Sequence, residues 1–234
     1  GDNGIGNVEL PETTQEPINE TACDFIIRKA QELKGELIII TTGRMTNLAM
    51  ALEKDASLPK KVKKVVAMGG CYKVPGNVSP YAEANIHGDA RAADVVGLDV
   101  TMKTFITQAD VDNLCEYCLE ECRPIAEYIK KALRFYFEFH RVTMGMAHAS
   151  VVHDPLAMLI AEDPSLGVYE MVRAGVEYQS EKFSGMITTD DGFVPVLDRE
   201  EIAICIQVDS VKAVRRLFSV FQNMEPGRYN KKKN

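Results

Sequence analysis

Apolar positions along the first hundred residues alternate between runs with helical spacing and short runs that are almost wholly apolar. In residues 19–34, Ala22, Phe25, Ile26, Ala30 and Leu33 recur close to the helical period, and Gly35 follows where a helix can close. Residues 37–42 form a β-branched run, the composition of a strand buried on both faces of a parallel sheet. Gly43 turns the chain, and residues 46–52 predict a second helix capped by Thr46 or Asn47. A second buried strand is predicted over 62–68, ending at Gly69-Gly70. A short helix over 89–96 opened by Asp89 and a third strand over 98–102 follow.

Strand, loop and helix repeated at this spacing predict βαβ units. The fold class is therefore α/β, a doubly wound, mostly parallel sheet with flanking helices. Ligands of such sheets bind at the carboxyl ends of the strands, which sets Thr42, Met68 and the 76–85 loop at one edge. Residues 109–141 are mostly helical in pattern, broken near Pro124, which suits the first turn of a long helix. The aromatic run 135–140 reads as a helix face on the core, with an overhang above a ligand as the alternative. A helix over 154–160, β-like runs over 169–178, 185–189 and 202–208, and an amphipathic helix over 210–222 complete the pattern.

Composition narrows the function classes. A chain of 234 residues can bury one full core, and the simplest reading is a single domain over 1–234. A net charge of −7 argues against nucleic acid as a partner, and Lys231-Lys232-Lys233 is too short a basic run to change that. No apolar run reaches the length of a membrane span, and no secretory signal opens the chain, so no membrane partner is expected. Six cysteines without a disulfide-like framework read as reduced thiols of a cytoplasmic protein. The chain opens inside a glycine-rich loop, Gly1-Asp2-Asn3-Gly4-Ile5-Gly6, and the expectation is that N-terminal strands are missing before it.

Candidate chemistry concentrates in Gly76-Asn77-Val78-Ser79-Pro80-Tyr81-Ala82-Glu83-Ala84-Asn85-Ile86, with Asp89 shortly after. Asn77, Glu83 and Asn85 offer donors and acceptors together, which suits a ligand with several hydroxyl groups such as a sugar. A polar surface turn is the plain alternative. Downstream, Val152-His153-Asp154-Pro155 also has two readings. Asp154 before Pro155 is a helix cap, or Asp154 ligates a hard cation while His153 reaches a substrate. One aspartate cannot hold such a cation, and no compact set of carboxylates lies near it in sequence. Cys115, Cys118 and Cys122 share one side of a helix at i, i+3 and i+7; a zinc site lacks a fourth ligand at a recognised spacing, and packed small residues are the simpler reading. His140 and His148 read as structural, and Thr189-Asp190-Asp191-Gly192 as a hairpin turn.

Several of these segments together resemble one family. Thr41-Thr42-Gly43-Arg44-Met45-Thr46-Asn47-Leu48-Ala49, Met68-Gly69-Gly70, Gly76-Asn77 with Ala82-Glu83-Ala84-Asn85-Ile86 and Asp89, and Val152-His153-Asp154-Pro155 are similar in order and spacing to the inosine–uridine-preferring nucleoside hydrolases. The resemblance implies hydrolysis of the N-glycosidic bond of a small-molecule ribonucleoside, assisted by Ca2+ that grips the ribose hydroxyls and orients water. It implies Asp154 and the Thr42 carbonyl as calcium ligands, Asn77, Glu83 and Asn85 on the ribose, Met68 lining the pocket, and His153 near the base as a proton donor. It also implies a homodimer or homotetramer.

The departures are specific. The family's Asp-x-Asp-x-x-x-Asp-Asp motif, source of the other calcium carboxylates and of the general base, is absent from these 234 residues. Ala84 stands where an aromatic is frequent, and Met102 where a histidine is common. A non-catalytic nucleoside- or ribose-binding relative, or an inactive fragment, is the competing reading. Residues 37–40 are expected to present an uncovered sheet flank through which the chain dimerises or aggregates.

Overall fold

A computed structural model describes residues 2–88, 94–190 and 201–222. Its strands are β1 (Ile38–Thr41), β2 (Lys64–Met68), β3 (Asp94–Val96), β4 (Phe105–Thr107), β5 (Ala149–Val151), β6 (Gly167–Val176), β7 (Ile187–Thr189) and β8 (Glu201–Val208). Its helices are α1 (Ala22–Leu33), α2 (Thr46–Lys54), α3 (Ala84–Gly88), α4 (Leu98–Thr101), α5 (Gln108–Tyr117), α6 (Arg123–Met144), α7 (His153–Glu162) and α8 (Ser210–Gln222). The described residues group into two compact units, the larger within 16–103 and 153–209, the smaller within 1–15, 104–152 and 210–234.

The larger unit is built on a sheet of order β1-β2-β3-β8-β6-β7. β1, β2, β3 and β8 run parallel, while β6 and β7 are antiparallel additions. The β-branched runs explain the parallel part, because such strands are covered on both faces. Ala30 of α1 and Leu48 and Ala51 of α2 close on Leu37, Ile39 and Val65 at one end of the sheet. Thr21 caps α1 by accepting from the Asp24 amide, and the helix closes through two residues of positive φ, Lys34 (+47°) and Gly35 (+88°). α7 packs against β1 and β2, with Leu156 and Ala157 fully buried. In register, Thr41 stands beside Ala67 and Met68 beside Val96, so three carboxyl ends meet at one edge.

The structure corrects the sequence reading between 94 and 102. The third strand is Asp94–Val96, inside the stretch expected to be helical, and the expected strand 98–102 is the helix α4. Val95 and Val96 are buried, and β3 lies between β2 and β8. Gly97 then breaks the strand and caps α4, whose first turn carries Asp99, the residue type that a helix N-terminus favours. Asp89 lies outside the described residues, as do Asp191 and Gly192 of the expected hairpin turn. The cap of α2 is Met45, without a side-chain hydrogen bond, instead of Thr46 or Asn47.

The smaller unit holds the antiparallel pair β4–β5, in stretches where the pattern predicts no strand. Three residues each are too few to show a period. Thr107 and Asp110 form a reciprocal capping box at the start of α5, and Pro124 sits in the first turn of α6. Only Phe137 and His140 of the aromatic run are buried; Phe135, Tyr136 and Phe139 are exposed. The three clustered cysteines do not share one helix face. α5 stops at Tyr117, Cys118 is its cap and Cys122 belongs to a 3-10 turn. With Leu114 and Ala126 they form a buried apolar cluster, and burial pushes the Cys115 and Cys122 thiols up, away from thiolate. His140 is buried against the Tyr136 carbonyl and the Ser150 hydroxyl. No described helix is long and apolar enough to cross a membrane.

Candidate functional site

The larger unit gathers most of the sequence-predicted residues at the carboxyl ends of β1 and β2. The loop after β2 turns on Gly70, whose φ of +80° is a conformation that side chains disfavour. The Gly76-Asn77 turn folds back so closely that a Cβ on Gly76 would stand 2.1 Å from the Ala82 carbonyl oxygen. Glycine is therefore required where the polar loop begins. This fold-back brings Asn77 Oδ1 onto the Ala84 amide at 3.0 Å, at the start of α3.

Glu83 is the centre of the loop. Its side chain is only 2% exposed, and one oxygen, Oε2, accepts from three backbone amides: Gly70 at 2.8 Å, Asn85 at 3.0 Å and Ile86 at 3.2 Å. Oε1 makes no hydrogen bond among the described residues. Oε1 is not among the fully buried orphaned atoms, so it keeps an accessible face to which a ligand hydroxyl could donate. Asn85 Nδ2 donates to the Met68 carbonyl at 3.1 Å and approaches Met68 Sδ at 3.3 Å, so Met68, Glu83 and Asn85 form one connected cluster. The arrangement presents carboxylate and amide oxygens side by side, as recognition of a hydroxylated ligand requires.

His153 and Asp154 open α7. The helix begins at His153, so Asp154 occupies its first turn and not the cap position. His153 Nδ1 lies 2.8 Å from Thr101 Oγ1, a hydroxyl on a wholly buried residue at the end of α4. Asp154 is exposed and makes no hydrogen bond or ion pair among the described residues. Protein atoms crowding it on one side, and secondarily the charge of Glu83, push its carboxyl above the usual carboxylate range. The two carboxylates thus feel one another. Thr42 is exposed one residue beyond β1, and the structure gives its side chain no contact with the others. Its neighbour Thr41 keeps a buried Oγ1 with no hydrogen-bond partner.

Sequence reasoning missed two members of this constellation. Thr101 and Asp99 fall in the run read as a strand, and the residues they hold lie far along the chain. Asp99 is buried and accepts from the Tyr72 amide at 2.8 Å and the Lys73 amide at 2.7 Å, bracing the loop after β2. Gly97 followed by Asp99 is the local signal of a helix start that would have revealed them.

Hard oxygen donors at the end of β1 and the start of α7 have the chemistry that calcium uses, but not the number. Calcium takes six to eight oxygens, and no group of three His, Cys, Asp or Glu side chains converges among the described residues. The unpaired Asp154 and the orphaned Thr41 hydroxyl fit part of such a shell.

The fold is that of an α/β protein whose polar cluster, Met68, Glu83 and Asn85, lies at the carboxyl edge of a mostly parallel sheet. Comparison with known proteins specifies the class: the family model described as inosine-uridine preferring nucleoside hydrolase matches residues 1–215, and the chain belongs to that family. Uridine nucleosidase 1 of Arabidopsis thaliana is 37% identical over 187 residues, which are 76% of this chain and 55% of that protein. A solved plant nucleoside hydrolase superposes with a TM-score of 0.86 at 29% identity, covering 96% of this chain and 74% of its own. A purine-preferring ribonucleoside hydrolase from Gardnerella vaginalis superposes with a TM-score of 0.83 at 27% identity, covering 94% and 71%. The chain spans about half the length of the curated relatives it matches.

Proposed function

We propose that this chain carries the ribose- and base-facing part of a ribonucleoside hydrolase, which cleaves the N-glycosidic bond to ribose and free base. The observation that carries the reading is Glu83: a buried carboxylate with one oxygen saturated by three amides and the other left for a ligand, beside Asn85. Family membership supplies the reaction class.

In this reading Glu83 Oε1 accepts from a ribose hydroxyl, Asn85 Oδ1 accepts from a second, and the Asn77 amide donates. Met68, buried at the end of β2, forms the floor under the sugar. The bond from C1′ to the base nitrogen breaks, its electron pair departs with the base, and a water oxygen bonds to C1′. His153 delivers a proton to the leaving base, and nearby carboxylates favour the positive charge that develops on the ribose. Asp154 and the Thr42 carbonyl would hold calcium. Bound calcium would hold the 2′- and 3′-hydroxyls and lower the pKa of the attacking water. The remaining donors and the base that takes the water's proton are assigned to the family's Asp-x-Asp-x-x-x-Asp-Asp motif, which is not in this sequence. The working form is a homo-oligomer.

The absence of a three-ligand cluster among the described residues favours a second reading, ribose binding without turnover. Uridine and inosine assays with and without EDTA separate the two. Calcium-dependent release of free base supports the first, and ribose affinity that EDTA does not alter, with no release, supports the second.

A further inference from the structure

We propose that Thr101 is the positioning residue of His153, and that α4 ties the base-facing end of the site to its ribose-facing end. The inference rests on the reading of His153 as the group that serves the leaving base. The two side chains are 52 residues apart in sequence and meet at 2.8 Å between Thr101 Oγ1 and His153 Nδ1. Thr101 has no exposed surface, so its hydroxyl cannot swing to water, and a β-branched side chain has few rotamers to choose from. Whichever atom carries the shared proton, Nδ1 is committed to Thr101. The bond made by one ring nitrogen sets the role of the other, so Thr101 fixes how the ring is turned toward a base.

The anchor of Thr101 extends the argument. The Leu98 amide donates to the Gly70 carbonyl at 2.8 Å, while the Gly70 amide donates to Glu83 Oε2 at the same distance. Asp99 clamps two amides further along that loop, those of Tyr72 and Lys73. α4 also packs against α7, whose first residue is His153. One residue, Gly70, thus references both the ribose carboxylate, through its N–H, and the helix that holds the histidine ring, through its carbonyl. The spacing between the sugar contact and the base contact is set by α4. A displacement of about 1 Å in such a spacing is enough to slow a reaction severely.

The test uses Thr101→Val, close to isosteric without the hydroxyl, Thr101→Ala as a second variant should Val disturb the packing, and Thr101→Ser, which restores the hydroxyl, all in the complete protein. Thr101→Val and Thr101→Ala are expected to lower kcat about tenfold or more with KM nearly unchanged, and Thr101→Ser to recover most of the loss. Removing the hydroxyl in a His153→Ala background is expected to change nothing further. Independently of turnover, the 15N ring resonances of His153 are expected to shift in Thr101→Val and Thr101→Ala and to return in Thr101→Ser. An unchanged ring spectrum, or an equal loss of kcat in the His153→Ala background, overturns the proposal. Full activity in His153→Ala itself would overturn the role of His153 in the proposed function instead. A protein that hydrolyses no nucleoside fails that function, and the ring spectrum still decides whether Thr101 holds the histidine.

Discussion

Two carboxylates of the larger unit, Glu83 and Asp154, are held in opposite ways. Glu83 is buried and spends one oxygen on the amides of Gly70, Asn85 and Ile86, so the loop that carries it depends on that acceptor. Asp154 is exposed, has no partner among the described residues, and is disfavoured as an anion by crowding and by Glu83. The first carboxylate belongs to the fold as much as to the ligand. The second burdens the fold and has a use only when something positive arrives. Sites commonly retain such destabilising groups because function requires them.

Removing Glu83 breaks the comparison most severely. Glu83→Ala strands three amides in a closed environment at about 1 kcal/mol or more each, roughly 3 kcal/mol together. A fall in melting midpoint of about 6–12 °C is expected by calorimetry. A variant melting with the parent would mean that the three bonds contribute nothing. Next comes Gly76→Ala, whose Cβ meets the Ala82 carbonyl at 2.1 Å. The backbone must move, and a loss of about 1–3 kcal/mol is expected, with weakened ribose affinity in calorimetric titration. Unaltered affinity would detach the Asn77–Asn85 fold-back from binding.

Asn85→Ala sharpens the picture on the ligand side. It removes the bond to the Met68 carbonyl, worth about 1 kcal/mol, and is expected to raise KM for uridine about tenfold. An unchanged KM would remove Asn85 from the sugar contact. The smallest effect is the opposite in sign. Because the Asp154 carboxyl is raised, the folded chain holds its proton more tightly than the unfolded chain does. The resulting destabilisation is absent in acid, grows as pH rises through the ordinary carboxylate range, and is complete above the raised folded value. Water screens an exposed group, so Asp154→Asn is expected to melt only about 1 °C higher at neutral pH, with the gain vanishing in acid. A lower midpoint at neutral pH would show that Asp154 has a stabilising partner.

The legible parts of the molecule were those whose signal is local. β-branched runs ending in glycines announced β1 and β2, and Gly76, Pro80, Glu83 and Asn85 within one turn announced a polar loop. His153-Asp154-Pro155 marked the start of α7 to within one residue. The third strand was misplaced because residues 94–102 hold two short apolar runs split by Gly97, and only the neighbours β2 and β8 decide which is extended. The wiring of the site was illegible for a related reason. Glu83 depends on an amide 13 residues earlier and His153 on a hydroxyl 52 residues earlier, and no periodicity encodes either meeting. Residue types carried only the expectation of a hydroxylated ligand, whereas burial and direction came with the fold.

The most direct test of the central claim is uridine and inosine hydrolysis by these 234 residues and by the same chain extended before Gly1 with the family's Asp-rich segment, each with calcium and with EDTA. The expected result is release of free base by the extended chain alone, stopped by EDTA and by Asp154→Asn. Release that ignores EDTA and Asp154, or none from the extended chain although it binds ribose, would contradict the account.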